Sequence, residues 1–225
     1  MRMRSVLVTV FLATLVPAGA QVLITPTSLT NTSGVTEFFP AANIINDSGL
    51  SAPATILTYQ TVTHAAASDT TAWTTNNPNG AGDYFLESNP GTPAIFTLTL
   101  DATYVLTDLV FWGYHFGSPN GNEARAFDVA FSSDGGATFP TSTSVSQPLS
   151  TYAAADAVTL AFVGSFQADT VRIDITDNHF GGDAPGGDRI GLGELKFVGT
   201  VIPEPAAALL GALGLCGLLL RRSRI

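Results

Sequence analysis

A chain of 225 residues with 12% charged side chains, 22 Gly and 13 Pro is too poor in charge for a disordered polyampholyte and long enough for one self-sufficient core with appended segments. Arg2, Arg4, Arg221, Arg222 and Arg224 lie at the two ends, so residues 21–202 carry 17 acidic against 4 basic residues, a net −13. A surface that acidic repels phosphate backbones and anionic lipid, which excludes a nucleic-acid partner and leaves divalent cations and neutral ligands.

At the N-terminus, two arginines precede the apolar run Val6 to Val16, and the small residues of Pro17-Ala18-Gly19-Ala20 follow. This order predicts a secretory signal over residues 1–20, cleaved after Ala20, because the run is about half the ~20 residues of a bilayer span. Cys216 falls in the apolar C-terminal stretch, so the exported region contains no cysteine and no internal disulfide.

Residues 21–200 read as strands. Phe96, Leu98 and Leu100 alternate with threonines, Phe127, Val129 and Phe131 with Asp128 and Ala130, and Val171, Ile173 and Ile175 with Arg172, Asp174 and Thr176. Each set turns one apolar face inward. Leu106 to Phe116 is more continuously apolar and aromatic, as for a strand covered on both faces or central in a sheet. Further strands are predicted near 22–25, 157–163 and 190–198, separated by Gly, Pro, Asn and Asp clusters. The expected fold is all-β, a single antiparallel β-sandwich.

Several constellations bear on chemistry. Ser132-Ser133-Asp134-Gly135-Gly136-Ala137-Thr138-Phe139 fits the Asp-box pattern of sialidase propellers, but a single copy reads as a hairpin turn. Asp174, Asp177, Asp183 and Asp188, interleaved with glycines, form the most acidic loop, open to solvation, a cation contact or acid-base hydrolysis. His64, His115 and His179 are scattered, and H-E-x-x-H, G-x-S-x-G, a P-loop and G-x-G-x-x-G are all missing from the exported region. Phe111-Trp112-Gly113-Tyr114-His115-Phe116 leads into a polar loop with Asn120, Asn122, Glu123 and Arg125. Aromatic rings that take a sugar face beside amides and charges that bond its hydroxyls make His115, Asn120, Asn122, Glu123 and Arg125 the candidate ligand-binding residues.

Residues 201–225 run from Val201-Ile202-Pro203-Glu204-Pro205 through the uncharged stretch Ala206 to Leu220 to Arg221-Arg222-Ser223-Arg224. A Pro-Glu-Pro triplet, a short apolar helix and a terminal arginine cluster resemble the PEP-CTERM sorting signal of Gram-negative bacteria that make exopolysaccharide. The resemblance implies Sec export, transient inner-membrane insertion through the C-terminal helix, and processing at Pro203, Glu204 and Pro205 by an exosortase-type protease. The product would reach the periplasm, the cell surface or the extracellular matrix. A retained C-terminal anchor is the other reading of the same residues.

A second resemblance spans residues 24–199. Asn43 to Leu50, the segment at Trp73, Ile95 to Tyr104, Leu106 to Tyr114, Phe127 to Gly136 and Ile190 to Phe197 follow the order of segments in discoidin-like domains, the galactose-binding-like or F5/8 type C jelly roll. It implies a jelly-roll sandwich acting as a non-catalytic module for carbohydrate, here a surface polysaccharide or exopolysaccharide. The alternatives are a secreted glycan-active hydrolase using the acidic loops and a purely structural matrix protein. The resemblance further implies a structural Ca²⁺ joining the first loop to the closing strand through Asn46, Asp47, Ser51 and Glu194. Independently, if Ile190 and Leu192 face inward, strict alternation turns Glu194 inward too, where it needs a partner; Lys196 is the competing one on the same face, and a bulge at Gly193 would instead expose Glu194.

Overall fold

The computed structural model describes residues 19–77, 82–86 and 92–203. The predicted signal segment up to residue 18 and residues 204–225, with Glu204, Pro205 and the expected apolar helix, lie outside the described residues. No helix among the described residues is long and apolar enough to cross a membrane.

Ten strands carry the fold: β1 (Gln21–Ile24), β2 (Ser28–Asn31), β3 (Glu37–Phe39), β4 (Trp73–Thr75), β5 (Ala94–Trp112), β6 (Ala124–Ser132), β7 (Thr141–Ser146), β8 (Ala157–Asn178), β9 (Gly191–Leu192) and β10 (Glu194–Val201). All strand pairs are antiparallel. Seven strands form one sheet in the order β1-β10-β5-β8-β6-β7, with β2 also on β5, and β3-β4-β9 form a second.

The large sheet is both layers of a sandwich. The first part of β5 pairs Ala94 to Thr99 with Ile175 to Thr170, the second pairs Tyr104 to Trp112 with Ala168 to Ala157, and the register slips between them. At that slip β5 and β8 bend together and the two halves turn face to face. Phe111 of one half consequently meets Phe127 of the other at 5.2 Å between ring centres, and Phe131 meets Phe162 at 5.2 Å. Tilted and edge-to-face aromatic pairs of this kind contribute roughly 1 kcal/mol beyond their buried area. The expected alternation is realised: Phe96, Leu98, Leu100, Phe127, Val129, Phe131, Val171, Ile173 and Ile175 all belong to this core. On the small sheet, Trp73 packs edge-on against Phe96 at 4.9 Å.

The second part of β5 is covered on both faces. Leu109 and Phe111 join the main core, while Val110 and Trp112 pack with Tyr59 and Val62 of the 46–66 segment, which lies across the outer face. The Trp112 indole N–H donates to the Val62 carbonyl at 2.8 Å. Alternation fails at Gly193: Ile190 and Leu192 face the core, but so do Leu195 and Phe197, which sends Glu194 and Lys196 to the outer face. Both are nonetheless fully buried, at 0% exposure, beneath the same covering segment. The Asp134 turn is the β6–β7 hairpin connection, with Gly135 and Gly136 at φ 71° and 84°.

Candidate ligand-binding cleft

Three connections meet at one end of the sandwich: 113–123 after β5, 147–156 before β8, and 179–190 after β8. They are stitched by backbone bonds, from Gly121 N–H to Pro185 O (2.8 Å), His179 N–H to Glu123 O (3.2 Å) and Gly191 N–H to Asn122 O (2.7 Å). Beneath them Glu123 is fully buried and its Oε1 accepts the Ala153 N–H at 2.7 Å. Burial pushes the Glu123 carboxyl up to about 8, against the opposing pull of that N–H. Its Oε2 has no hydrogen-bond partner. Beside it, His179 lies 4.0 Å from Glu123 Oε1. Burial lowers the His179 pKa, and its ring stands with Nδ1 2.7 Å from Leu149 O and Nε2 3.0 Å from Gln147 Oε1.

The Tyr152 ring rests on His179, with centres 4.4 Å apart. Its hydroxyl oxygen accepts the Ala184 N–H at 3.1 Å. That approach requires Gly182, whose Cβ would stand 2.2 Å from the Tyr152 hydroxyl. Over this platform opens a cleft of about 290 Å³ lined by Ser118, Pro119, Ser150, Tyr152, Asp183, Ala184 and Pro185. Its floor combines an aromatic ring and two prolines with two hydroxyls and one carboxylate. That is the mixture that takes the C–H face of a sugar and bonds its hydroxyls. Two larger concavities, of about 430 and 400 Å³, lie at the β5–β8 bend and on the outer sheet face, and neither presents an aromatic side chain.

The cleft shares its first loop with the expected binding residues but not their side chains. His115, Asn122 and Glu123 are buried, not solvent-facing. His115 donates from Nε2 to His64 O (3.1 Å), and its Nδ1 accepts the Gly117 N–H (3.0 Å). Asn122 Oδ1 accepts the N–H groups of Gly187 (2.5 Å) and Arg189 (3.2 Å), and half-buried Asn120 caps Asn122 N–H at 2.9 Å. Arg125, also half-buried, pairs with Asp177 (2.5 Å) and donates to Gln147 O (3.0 Å). These groups hold the loops together from below. The acidic loop is likewise dispersed: Asp177 is held by Arg125, Asp188 accepts from Asn77 at 2.7 Å, and Asp174 lies on the outer sheet face. Of the four aspartates only Asp183 lines the cleft.

The expected calcium ligands part company. Asp47 and Glu194 do meet, with the Asp47 N–H donating to Glu194 Oε2 at 3.1 Å. Ser51 Oγ instead accepts from Thr63 N–H and Oγ1 (both 3.1 Å), and Asn46 Oδ1 caps Ser48 N–H at 2.9 Å. The ammonium of Lys196 stands 2.5 Å from Asp47 Oδ1, 2.6 Å from Thr25 Oγ1 and 3.9 Å from Glu194 Oε1. A cation is thus already in place, and the donor set does not fit Ca²⁺, which needs six to eight oxygens and no ammonium among them. Burial raises the Glu194 pKa, against the pull of Lys196. Among the described residues no group of three or more His, Cys, Asp or Glu is placed to hold a metal ion.

No family model matches the chain, and no curated protein matches it. Among solved structures it is similar to the CBM32-1, CBM32-2 and M60 catalytic domains of Clostridium perfringens ZmpB, at 12% identity and TM-score 0.48, over 79% of this chain and 15% of that one. It spans 34% of a structure of the CBM32-1 and CBM32-2 domains alone. It is also similar to the family 32 CBM from C. perfringens NanJ in complex with galactose, at 14% identity and TM-score 0.44, over 80% of this chain and 99% of that one. CBM32-3 from a C. perfringens family 31 glycoside hydrolase is similar at 12% identity and TM-score 0.45, over 79% of this chain and 91% of that one.

Proposed function

We propose that the chain is an exported, non-catalytic binding module that holds a surface or matrix carbohydrate in the loop cleft. One observation carries the reading: Tyr152, Pro119 and Pro185 share a cleft of about 290 Å³ with Ser118, Ser150 and Asp183. A ring platform with hydroxyl and carboxylate groups beside it suits a saccharide, and the net −13 of residues 21–202 favours a neutral one over an anionic polymer. Export through the signal segment, and sorting by an exosortase-type protease at Pro203-Glu204-Pro205, belong to the same reading and rest on the order of motifs at the two ends. Hydrolysis finds less support, because acid-base cleavage needs two carboxyl groups flanking one bond and a single aspartate lines the cleft. A glycan array tests the proposal. Binding by the wild type that Tyr152→Ala abolishes, without reducing-sugar release, supports it; reducing-sugar release identifies a hydrolase, and an array with no binding identifies a structural protein.

A further inference from the structure

We infer that Lys196 is the resident cation of the corner between β1, the 46–50 loop and β10, and that its ammonium masks a latent divalent-cation site formed by Asp47 and Glu194. The inference is independent of the carbohydrate reading. The Lys196 side chain is 1% exposed, and an ammonium so placed is tolerated only where oxygens surround it. It reaches three stretches of chain at once: Thr25 just past β1 at 2.6 Å, Asp47 at 2.5 Å, and the Glu194 carboxyl on its own strand at 3.9 Å. Asp47 holds φ 61°, a left-handed conformation that non-glycine residues seldom adopt. In that conformation its N–H donates to Glu194 Oε2 while its carboxylate meets the lysine. Glu194 Oε1 has no hydrogen-bond partner and faces the ammonium.

The lysine therefore ties the first loop to the closing strand, and it needs nothing from solution to do so. Removing it leaves the Asp47 carboxylate, the Glu194 carboxyl and the Thr25 hydroxyl around one point, oxygen donors of the kind Ca²⁺ takes once Glu194 gives up its proton to the metal. The test is thermal unfolding of the full chain, followed by tryptophan fluorescence, in EDTA and in millimolar CaCl₂. The wild type unfolds at the same temperature in both. Lys196→Ala melts about 10 °C lower in EDTA, regains part of the loss with CaCl₂, and loses that recovery when combined with Glu194→Gln. Should Lys196→Ala fail to fold, Lys196→Met, which keeps the buried stem, carries the same comparison. A wild-type melting temperature that rises with CaCl₂ overturns the inference, as does a Lys196→Met protein as stable as the wild type in EDTA. A lysine variant indifferent to CaCl₂ overturns the latent site.

Discussion

Glu123 shows how a buried polar side chain ties neighbouring loops together. Its carboxyl joins two connections through the Ala153 N–H, and burial raises its pKa from 4.5 to about 8. A carboxyl whose folded pKa stands above its unfolded one holds its proton more tightly in the folded protein, so its contribution is greatest in acid and is lost as pH climbs through 8. The buried imidazoles His64 and His179, lowered from 6.5, act in the opposite sense and cost stability only as pH falls below that value. Between pH 6.5 and 8 the carboxyls Glu123 and Glu194 therefore govern, and the melting temperature falls as pH rises. Glu123→Gln, neutral at every pH, reduces that slope by about 1.4 kcal/mol per pH unit. Denaturant titrations at pH 6.5 and 8 measure it, and an unchanged slope contradicts the assignment.

At the scale of elements, what could be read in advance was whatever leaves a local pattern. Phe96, Leu98 and Leu100, or Val171, Ile173 and Ile175, repeat every second residue, and the core contains them all. Two pairs of predicted strands are in fact the halves of β5 and of β8, because a bend that keeps its hydrogen-bonded partner across the corner resembles a loop in sequence. β7 left no signal: of Thr141 to Ser146 only Val145 is buried, so no alternation marks it. At Glu194 strict alternation gives way at Gly193, the bulge position that the sequence offered as the alternative, and the burial of Glu194 comes from a covering segment 128 to 148 residues earlier in the chain. The cleft was legible only in part. Loops 117–122 and 181–187 carry evident turn residues, but Tyr152 stands in a stretch with no motif, and distant backbone bonds such as Gly121 to Pro185 bring it to the others. Asn122, Glu123 and Arg125 make bonds that knit the loops together, and polar side chains in a Gly-rich turn look the same in sequence whether they meet solvent or a neighbouring loop.

The third loop gives this scale its own prediction. Gly187 sits at φ 113°, and a Cβ there would stand 2.5 Å from the Phe180 ring, while its N–H donates to Asn122 Oδ1. Gly187→Ala forces a conformation unfavourable by about 1–2 kcal/mol before any clash. It should loosen residues 179–190 selectively. Amide exchange in that loop rises by at least about tenfold while the β5–β8 pairing stays protected; uniform protection throughout contradicts the loop's dependence on this glycine.

Over the whole molecule, the chain enters and leaves at the end away from the cleft. Gln21 pairs with Thr200, and the Ile202 N–H donates to Thr103 O at 2.9 Å, just before exposed Pro203. The cleft loops begin at the far ends of the same strands, after Trp112 and before Glu194, about 25 Å away along β10 at ~3.3 Å per residue. Attachment at either terminus thus leaves the cleft clear. If the sorting proposal holds, replacing Pro203-Glu204-Pro205 by alanines leaves a full-length species in the membrane fraction; mass spectrometry finding Ile225 on the wild-type surface protein contradicts it. The carbohydrate claim is tested most directly by locating the ligand. A saccharide selected on the array is titrated into ¹⁵N-labelled protein and its amide shifts are mapped. The account predicts saturable shifts confined to residues around Ser118, Ser150, Tyr152 and Asp183, lost in Tyr152→Ala. Shifts centred instead on the outer sheet face at Asp128, Arg172 and Asp174, with the loop amides unmoved, would contradict it.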